Sequence, residues 1–256
     1  MRGRSDADDP RIEPAARAFG PAATDYERAR PTYPSAAIDT LRTRLGIGPG
    51  MRVCDLAAGT GKLTRLLVET GADVVAVEPV LGMRVELTAQ MPDVDVLDGT
   101  AEDLPFDDGS LDVVTVAQAF HWFRFDEALG EIRRVLRPGG GLAILFNERD
   151  ERAGWVRAWN DAIEWHSRRI AYYQRTDWGG VLRAAGYVHV GHDEVEWAQP
   201  MTRDLVASRV RSVSYVAELD AAGQQEYVDR VAPLVADFDE PFALPYVTHL
   251  HWATRS

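Results

Sequence analysis

The chain has 256 residues, enough for one large or two small domains with a substantial core at roughly 100–200 residues per domain. Its 46% hydrophobic and 27% charged residues exclude a disordered chain, its single cysteine excludes an intrachain disulfide or a multi-cysteine zinc cage, and 28 basic against 40 acidic residues argue against a face for duplex nucleic acid. No apolar run approaches the ~18 residues of a membrane span and the start, MRGRSDADDP, lacks an apolar export core, so a cytoplasmic protein with neither membrane nor nucleic-acid partner is expected.

Residues 1–18 carry Ile12 as their one bulky aliphatic and read as a flexible tail. From Pro34 a helix is expected, with Ile38, Leu41 and Leu45 on one face and Gly46 as its stop. The short apolar run MRVCDL (51–56) then enters a glycine-bearing turn, and Leu63, Leu66 and Leu67 restore helical spacing up to Gly71. The alternation repeats: VVAVE (74–78), a helix around 83–89, VDVLDG (94–99), then LDVVTV (111–116), a helix carrying Leu129, Ile132 and Leu136, a turn over 137–141, and LAILF. Continuous apolar strands alternating with helices predict an α/β fold, a doubly wound and mostly parallel sheet covered on both faces.

Beyond Phe146, residues Trp155, Trp159, Ile163, His166 and Ile170 recur at helical steps and predict one helix with an aromatic stripe. A short helix over 176–186, a strand over 188–198, helices over 203–219 and 221–236, and a final strand FALPYVTHLHWATR follow. Helices without intervening strands suggest a cap inserted before the last strands of the same sheet. The expected organisation is a tail (1–18), a ligand-binding core (19–146) and a cap and acceptor region (147–256).

The strongest local signal is VCDLAAGTGKLT (53–64), which leaves a strand and opens a helix, where small residues let a ligand approach the backbone and helix N–H groups face an anion. Glu78 ends the next strand 19 residues after Gly59, a position from which a carboxylate accepts hydrogen bonds from both ribose hydroxyls. A nucleoside derivative is the implied ligand. A P-loop fails because Leu56 and Leu63 stand where glycine and Ser or Thr belong, and Ala57, Lys62 and Thr64 interrupt both registers of the three-glycine dinucleotide pattern. Cys54 lies inside a buried strand and reads as core. His249 and His251, and likewise His189 and His192, read as surface or interface residues, and no metal is expected.

Five blocks in order, DLAAGTGKLT (55–64), VVAVEP with Met83 (74–83), GTAEDLPF (99–106), LDVVTVAQAFHWF (111–123) and RVLRPGGGLAIL (134–145), together with YERARPTYP (26–34), resemble the class I S-adenosylmethionine-dependent methyltransferases of the ubiquinone/menaquinone and trans-aconitate type. The resemblance implies a seven-stranded Rossmann-like methyltransferase fold with S-adenosyl-L-methionine as cofactor. It places Asp55, Ala57, Gly59 and Gly61 along the methionine portion, Glu78 and Pro79 at the ribose, and Met83, Ala101 and Glu102 around adenine. It also sets Gln118 by the sulfonium, Arg30 on the methionine carboxylate and Tyr26 as a closing residue. Ala57 departs from the family's first glycine, a mild change if its φ is negative, and Thr100 stands where many relatives have aspartate. The expected reaction is in-line methyl transfer, foremost to oxygen, of a small-molecule acceptor, with His121 as a general base for a hydroxyl. Trp122, Trp155 and Trp159 are expected to wall the acceptor, and the aromatic content of this region, with Trp165, Tyr172 and Tyr173, suggests an apolar or planar one. The alternatives are a NAD(P)-dependent oxidoreductase and a non-catalytic S-adenosylmethionine-binding regulatory protein.

Overall fold

A computed structural model describes residues 30–167 and 176–256; the expected tail over 1–18, Tyr26, Ile170, Tyr172 and Tyr173 lie outside them. Apolar runs form the parallel strands β1 (Arg52–Leu56), β2 (Asp73–Val77), β3 (Asp95–Leu97), β4 (Leu111–Ala117) and β5 (Leu136–Arg149). Two long strands, β6 (Tyr187–Met201) and β7 (Phe242–Arg255), complete a seven-stranded sheet in the order β3-β2-β1-β4-β5-β7-β6, with β7 antiparallel to both its neighbours. The sequence pattern follows this placement. Helices cover both faces of β1, β2 and β4, which are buried at most positions, whereas β6 and β7 alternate in burial.

The helices divide between the faces. On one, α1 (Ser35–Leu45) brings Ile38, Leu41 and Leu45 against Leu63 and Leu67 of α2 (Lys62–Val68) and against Val53, Val113, Leu145 and Leu250 of the sheet. On the other, α4 (Phe125–Val135) buries Ala128, Leu129, Ile132 and Val135 with Leu182 of α6 (Trp178–Ala184) over Leu56, Val114 and Ile144. The ends of α4 suit the helix dipole, with Asp126 and Glu127 in its first turn and Arg133 and Arg134 in its last. Between β6 and β7 come α7 (Arg203–Arg211), α8 (Ser214–Ala217) and α9 (Ala221–Val231), the inserted helical layer that the sequence predicts.

Three local expectations are corrected. The stripe from Trp155 is not one helix: α5 (Gly154–Ala162) stops, Glu164 takes a left-handed φ of 56°, and Trp165–Ser167 form a separate 3-10 turn. That break leaves His166 outside the helix. The stretch 203–219 likewise splits into α7 and α8. Finally, the turn expected over 137–141 belongs to β5, whose register against β4 shifts between Leu111 and Val113. Glycine is required there: a Cβ on Gly140 would stand 2.8 Å from the Arg137 carbonyl oxygen, and one on Gly141 would stand 2.8 Å from the Leu45 side chain, so α1 could not pack as closely.

Candidate functional site

Strand order reverses between β1 and β4, so the loops after these neighbours part to opposite sides and leave a crevice at their carboxyl ends. An open cavity of about 800 Å³ lies at this point, lined by Asp55 of β1, Ala57–Thr60 of the following loop, Ala117 and Gln118 at the end of β4, Asn147–Arg149 of β5 and Tyr246 of β7. The backbone of its floor is unusual. Ala57, Gly59 and Gln118 all have positive φ, at 55°, 60° and 58°. For Gln118 and Ala57 that conformation is sparsely populated and is held by the surroundings: Gln118 N–H donates to the Leu145 carbonyl, and Ala58 N–H to the Val77 carbonyl. The condition under which alanine would be a mild change here, a negative φ, is therefore not met. This position is one where glycine would be relaxed.

Gly59 and Gly61 differ in purpose. A Cβ on Gly59 would meet nothing within 4 Å, so its lack of a side chain keeps space open beside the backbone N–H groups. A Cβ on Gly61 would meet Met91 at 2.4 Å and Leu87 at 3.1 Å, so this glycine seats α2 against α3 (Leu81–Gln90) and does not border the cavity.

Two buried carboxyls hold the loop. Asp55 Oδ2 accepts from Thr64 Oγ1 at 2.6 Å and its Oδ1 from Thr115 Oγ1 at 3.2 Å, which clamps β1 to α2 and β4. Burial lifts its pKa to about 6, against the pull of those hydroxyls. Glu78 Oε2 accepts from Gly59 N–H and Oε1 from Val80 N–H, both at 2.9 Å, while burial lifts its pKa to about 7. Glu78 thus reaches the cavity through Gly59. Each of its oxygens keeps a lone pair beyond the backbone bond.

The opposite wall is polar and cationic. Arg149 and Tyr246 are cross-strand partners; the Arg149 Nε donates to Asn160 Oδ1 at 2.6 Å, and its guanidinium lies 5.0 Å from the Trp165 ring centre and 5.8 Å from that of Trp159. Asn160, Trp165 and Arg209 of α7 also line the cavity. The segment before α1 closes it: Arg30 Nη2 donates to the Ser212 carbonyl at 2.5 Å, and Asn147 Nδ2 to the Thr32 carbonyl at 2.8 Å.

Of the residues expected at the site, the structure gathers Arg30, Asp55, Ala57, Gly59 and Gln118 around this one cavity, with Glu78 behind Gly59. Pro79, Met83, Ala101 and Glu102 are not on it. Met83 and Ala101 are each 3% exposed, the Pro79 carbonyl accepts from Arg84, and a Glu102 carboxylate oxygen accepts from the Arg124 N–H. The aromatic expectations are revised. Trp159 is fully buried in the core, and Trp155 packs edge-on against Phe238 and Phe242. His121 lies between Trp122, at 4.7 Å between ring centres, and Phe146, at 6.0 Å. Neither it nor Trp122 is among the lining residues, and burial, reinforced by the Arg30 charge, lowers its pKa to about 3. A group so weakly basic is ill suited to take a hydroxyl proton near neutral pH. Sequence reasoning missed Arg149, Asn160, Arg209 and Tyr246, which are scattered over four elements of the cap region. Away from the cavity, His192, Glu194 and His249 set potential metal-ligand atoms within 4.8 Å of one another on β6 and β7. The cross-strand register pairs Glu194 with His249 and so brings a carboxylate beside the histidines.

Comparison with known proteins gives the family. A methyltransferase domain model matches residues 54–144, which span β1 to β5. An uncharacterized methyltransferase of Mycobacterium tuberculosis (strain ATCC 25618 / H37Rv) is 42% identical over 235 residues, 90% of this chain and 92% of that protein. The chain belongs to the class I S-adenosylmethionine-dependent methyltransferases. Other methyltransferases similar to it include a malonyl-[acyl-carrier protein] O-methyltransferase of Methylococcus capsulatus, 32% identical over 73% of this chain and 70% of that one. A demethylmenaquinone methyltransferase of Renibacterium salmoninarum is 41% identical over 39% of this chain and 43% of that one. Among solved structures, a candidate methyltransferase from an antibiotic biosynthesis pathway of Anabaena variabilis shares the fold, with a TM-score of 0.61 at 17% identity over 87% of this chain and 98% of that one.

Proposed function

We propose that this methyltransferase moves the methyl group of S-adenosyl-L-methionine to an oxygen of a small-molecule acceptor, in the cavity between the ends of β1, β4, β5 and β7. The observation that carries the reading is the coupled arrangement of Gly59 and Glu78, an open backbone position whose N–H is held by a buried strand-end carboxylate. A nucleoside ribose placed along that loop would offer its hydroxyls to the remaining Glu78 lone pairs. The Asp55 carboxylate, fixed by Thr64 and Thr115, would attract the ammonium and sulfonium charges. Arg30 would meet the methionine carboxylate. Bound there, the cofactor supplies a methyl already activated by positive sulfur: the acceptor oxygen forms a C–O bond as the S–C bond breaks, and the electron pair stays on sulfur to leave the thioether.

The chain's own part is alignment, exclusion of water and a fixed electrostatic frame. The weak basicity of His121 favours an acceptor that arrives deprotonated, and the name of the Methylococcus relative, an O-methyltransferase, supports oxygen as the receiving atom. The interrupted glycine pattern disfavours a nicotinamide enzyme. Calorimetric titration is expected to show micromolar S-adenosylmethionine binding, on the scale of about −8 kcal/mol, weakened by Glu78→Ala with the fold intact; equal binding by both proteins would remove the ribose role. Incubation with methyl-labelled cofactor and a small-molecule extract is expected to label a base-labile or ether product. Binding without any transferred label would leave the non-catalytic regulatory alternative standing instead.

A further inference from the structure

Among the cavity's described lining residues Asp55 of β1 and Lys62 of α2 are charged at one end and Glu148 and Arg149 at the β5 end, while Arg30 and Arg209 of α7 both bond to Ser212. In a chain of net charge −12 this is a local excess of positive charge. Arg209 is the telling residue. It is 5% exposed and lines the cavity, yet among the described residues its guanidinium bonds only Ser212 Oγ, at 3.3 Å, and none of the described carboxylates forms an ion pair with it. Its Nε is buried without an acceptor among the described residues, and so is the hydroxyl of Tyr246, a side chain 1% exposed that lines the same cavity. Burying a guanidinium without an anion is strongly unfavourable, and a chain keeps such a group where a ligand provides the missing charge.

We propose that the methyl acceptor carries an anionic oxygen group, a carboxylate or a phosphate, seated in the cavity between Arg209, Tyr246 and Arg149. The inference rests on the reading of the β1–β4 side as the cofactor site. The strand order separates the two ends: β4 and β5 intervene between β1 and β7, so the Tyr246 end lies about three strand spacings, roughly 14 Å, from the loop after β1. That distance separates this anion seat from the nucleoside end of the cofactor. Arg149 is pre-set for the task, since Asn160 fixes its Nε while the Trp165 ring supports its face, and the Tyr246 ring is held by Trp197, 5.3 Å away between ring centres. An anionic anchor would add a charged end to the apolar or planar acceptor expected from the sequence. The acceptor's body would rest on Trp165 with its charged end on the arginines.

The test uses the full chain saturated with S-adenosylhomocysteine, so that the cofactor's own carboxylate is already placed. Calorimetric titrations with 4-phenylbutyrate, phenyl phosphate and the neutral 4-phenylbutyramide follow. At least one anion is expected to bind while the amide does not, and the tighter of the two anions identifies the source of the charge. Arg209→Met and Tyr246→Phe are each expected to weaken the anion by about tenfold or more while S-adenosylhomocysteine affinity changes less than about threefold. Arg209→Met is further expected to raise the thermal midpoint of the free protein, because it removes an uncompensated buried charge. The proposal is overturned if anions and amide are indistinguishable, or if the Arg209 variant loses S-adenosylhomocysteine as severely as the anion, which would assign the guanidinium to the cofactor. Should Arg209→Met fail to fold, unchanged anion binding by Tyr246→Phe overturns it. Uptake of the anions without S-adenosylhomocysteine would keep the anion seat and remove the cofactor reading of the β1–β4 side.

Discussion

Ala57 carries a backbone conformation that an alanine side chain opposes by roughly 1–2 kcal/mol, at φ 55° and beside the cavity. Replacing it with glycine removes that opposition and adds only the extra entropy of an unfolded glycine. Ala57→Gly is expected to stabilise the protein by about 0.5–1 kcal/mol, read as a rise in the urea midpoint. A lower midpoint would mean that the alanine methyl makes contacts worth more than the strain. The buried carboxyls give a second residue-scale expectation. Burial raises Asp55 to about 6 and Glu78 to about 7, both above the values near 4 that they hold unfolded. The folded chain therefore keeps these protons longer than the unfolded chain does. The stability they confer is complete below about pH 4 and disappears as pH climbs through 6 to 7. Urea midpoints are expected to fall between about pH 5 and pH 8, by roughly 1–3 kcal/mol in stability, and Glu78→Gln is expected to flatten that slope. Asp55, Gly59 and Gln118 were legible because each sits at a strand end inside a contiguous block. Arg149, Asn160, Arg209 and Tyr246 were not, because only the sheet's closure and the inserted helices bring them together.

At the scale of elements, apolar periodicity located every strand and most helices, and its failures have local causes. Helical spacing from Trp155 to His166 is real in the sequence, yet a left-handed Glu164 ends the helix, and no residue type there announces the break. The glycines of 137–141 read as a turn, but they serve a strand bulge and the close packing of α1. The junction of α2 and α3 depends on Gly61 in the same way. Gly61→Ala would place its methyl against Met91 and Leu87 in a left-handed backbone. It is expected to destabilise the fold by roughly 2–4 kcal/mol from strain and overpacking together, with the thermal midpoint as readout. Gly59→Ala, at φ 60° but with open space around its Cβ, is expected to cost only the roughly 1–2 kcal/mol of left-handed strain, without overpacking, and to weaken cofactor binding. If the two variants showed the same pattern, the division of labour between these glycines would be wrong.

For the whole molecule, the doubly wound half of the sheet was readable from alternating strands and helices, while the order β5-β7-β6 was not, since nothing in a strand's own residues states which neighbour it will take. That order has its own consequence. Among the described strands β6 borders β7 alone, and as the chain emerges β6 must wait some forty residues for the partner that admits it to the sheet. A long unpaired strand is an invitation to self-association. The side chains of β6 answer that hazard: Asp193, Glu194 and Glu196 put three negative charges on it, and Pro200 near its end withholds an N–H. Copies of the strand that met during synthesis would repel one another, so the residues least concerned with chemistry guard the chain while its last strand is still being made.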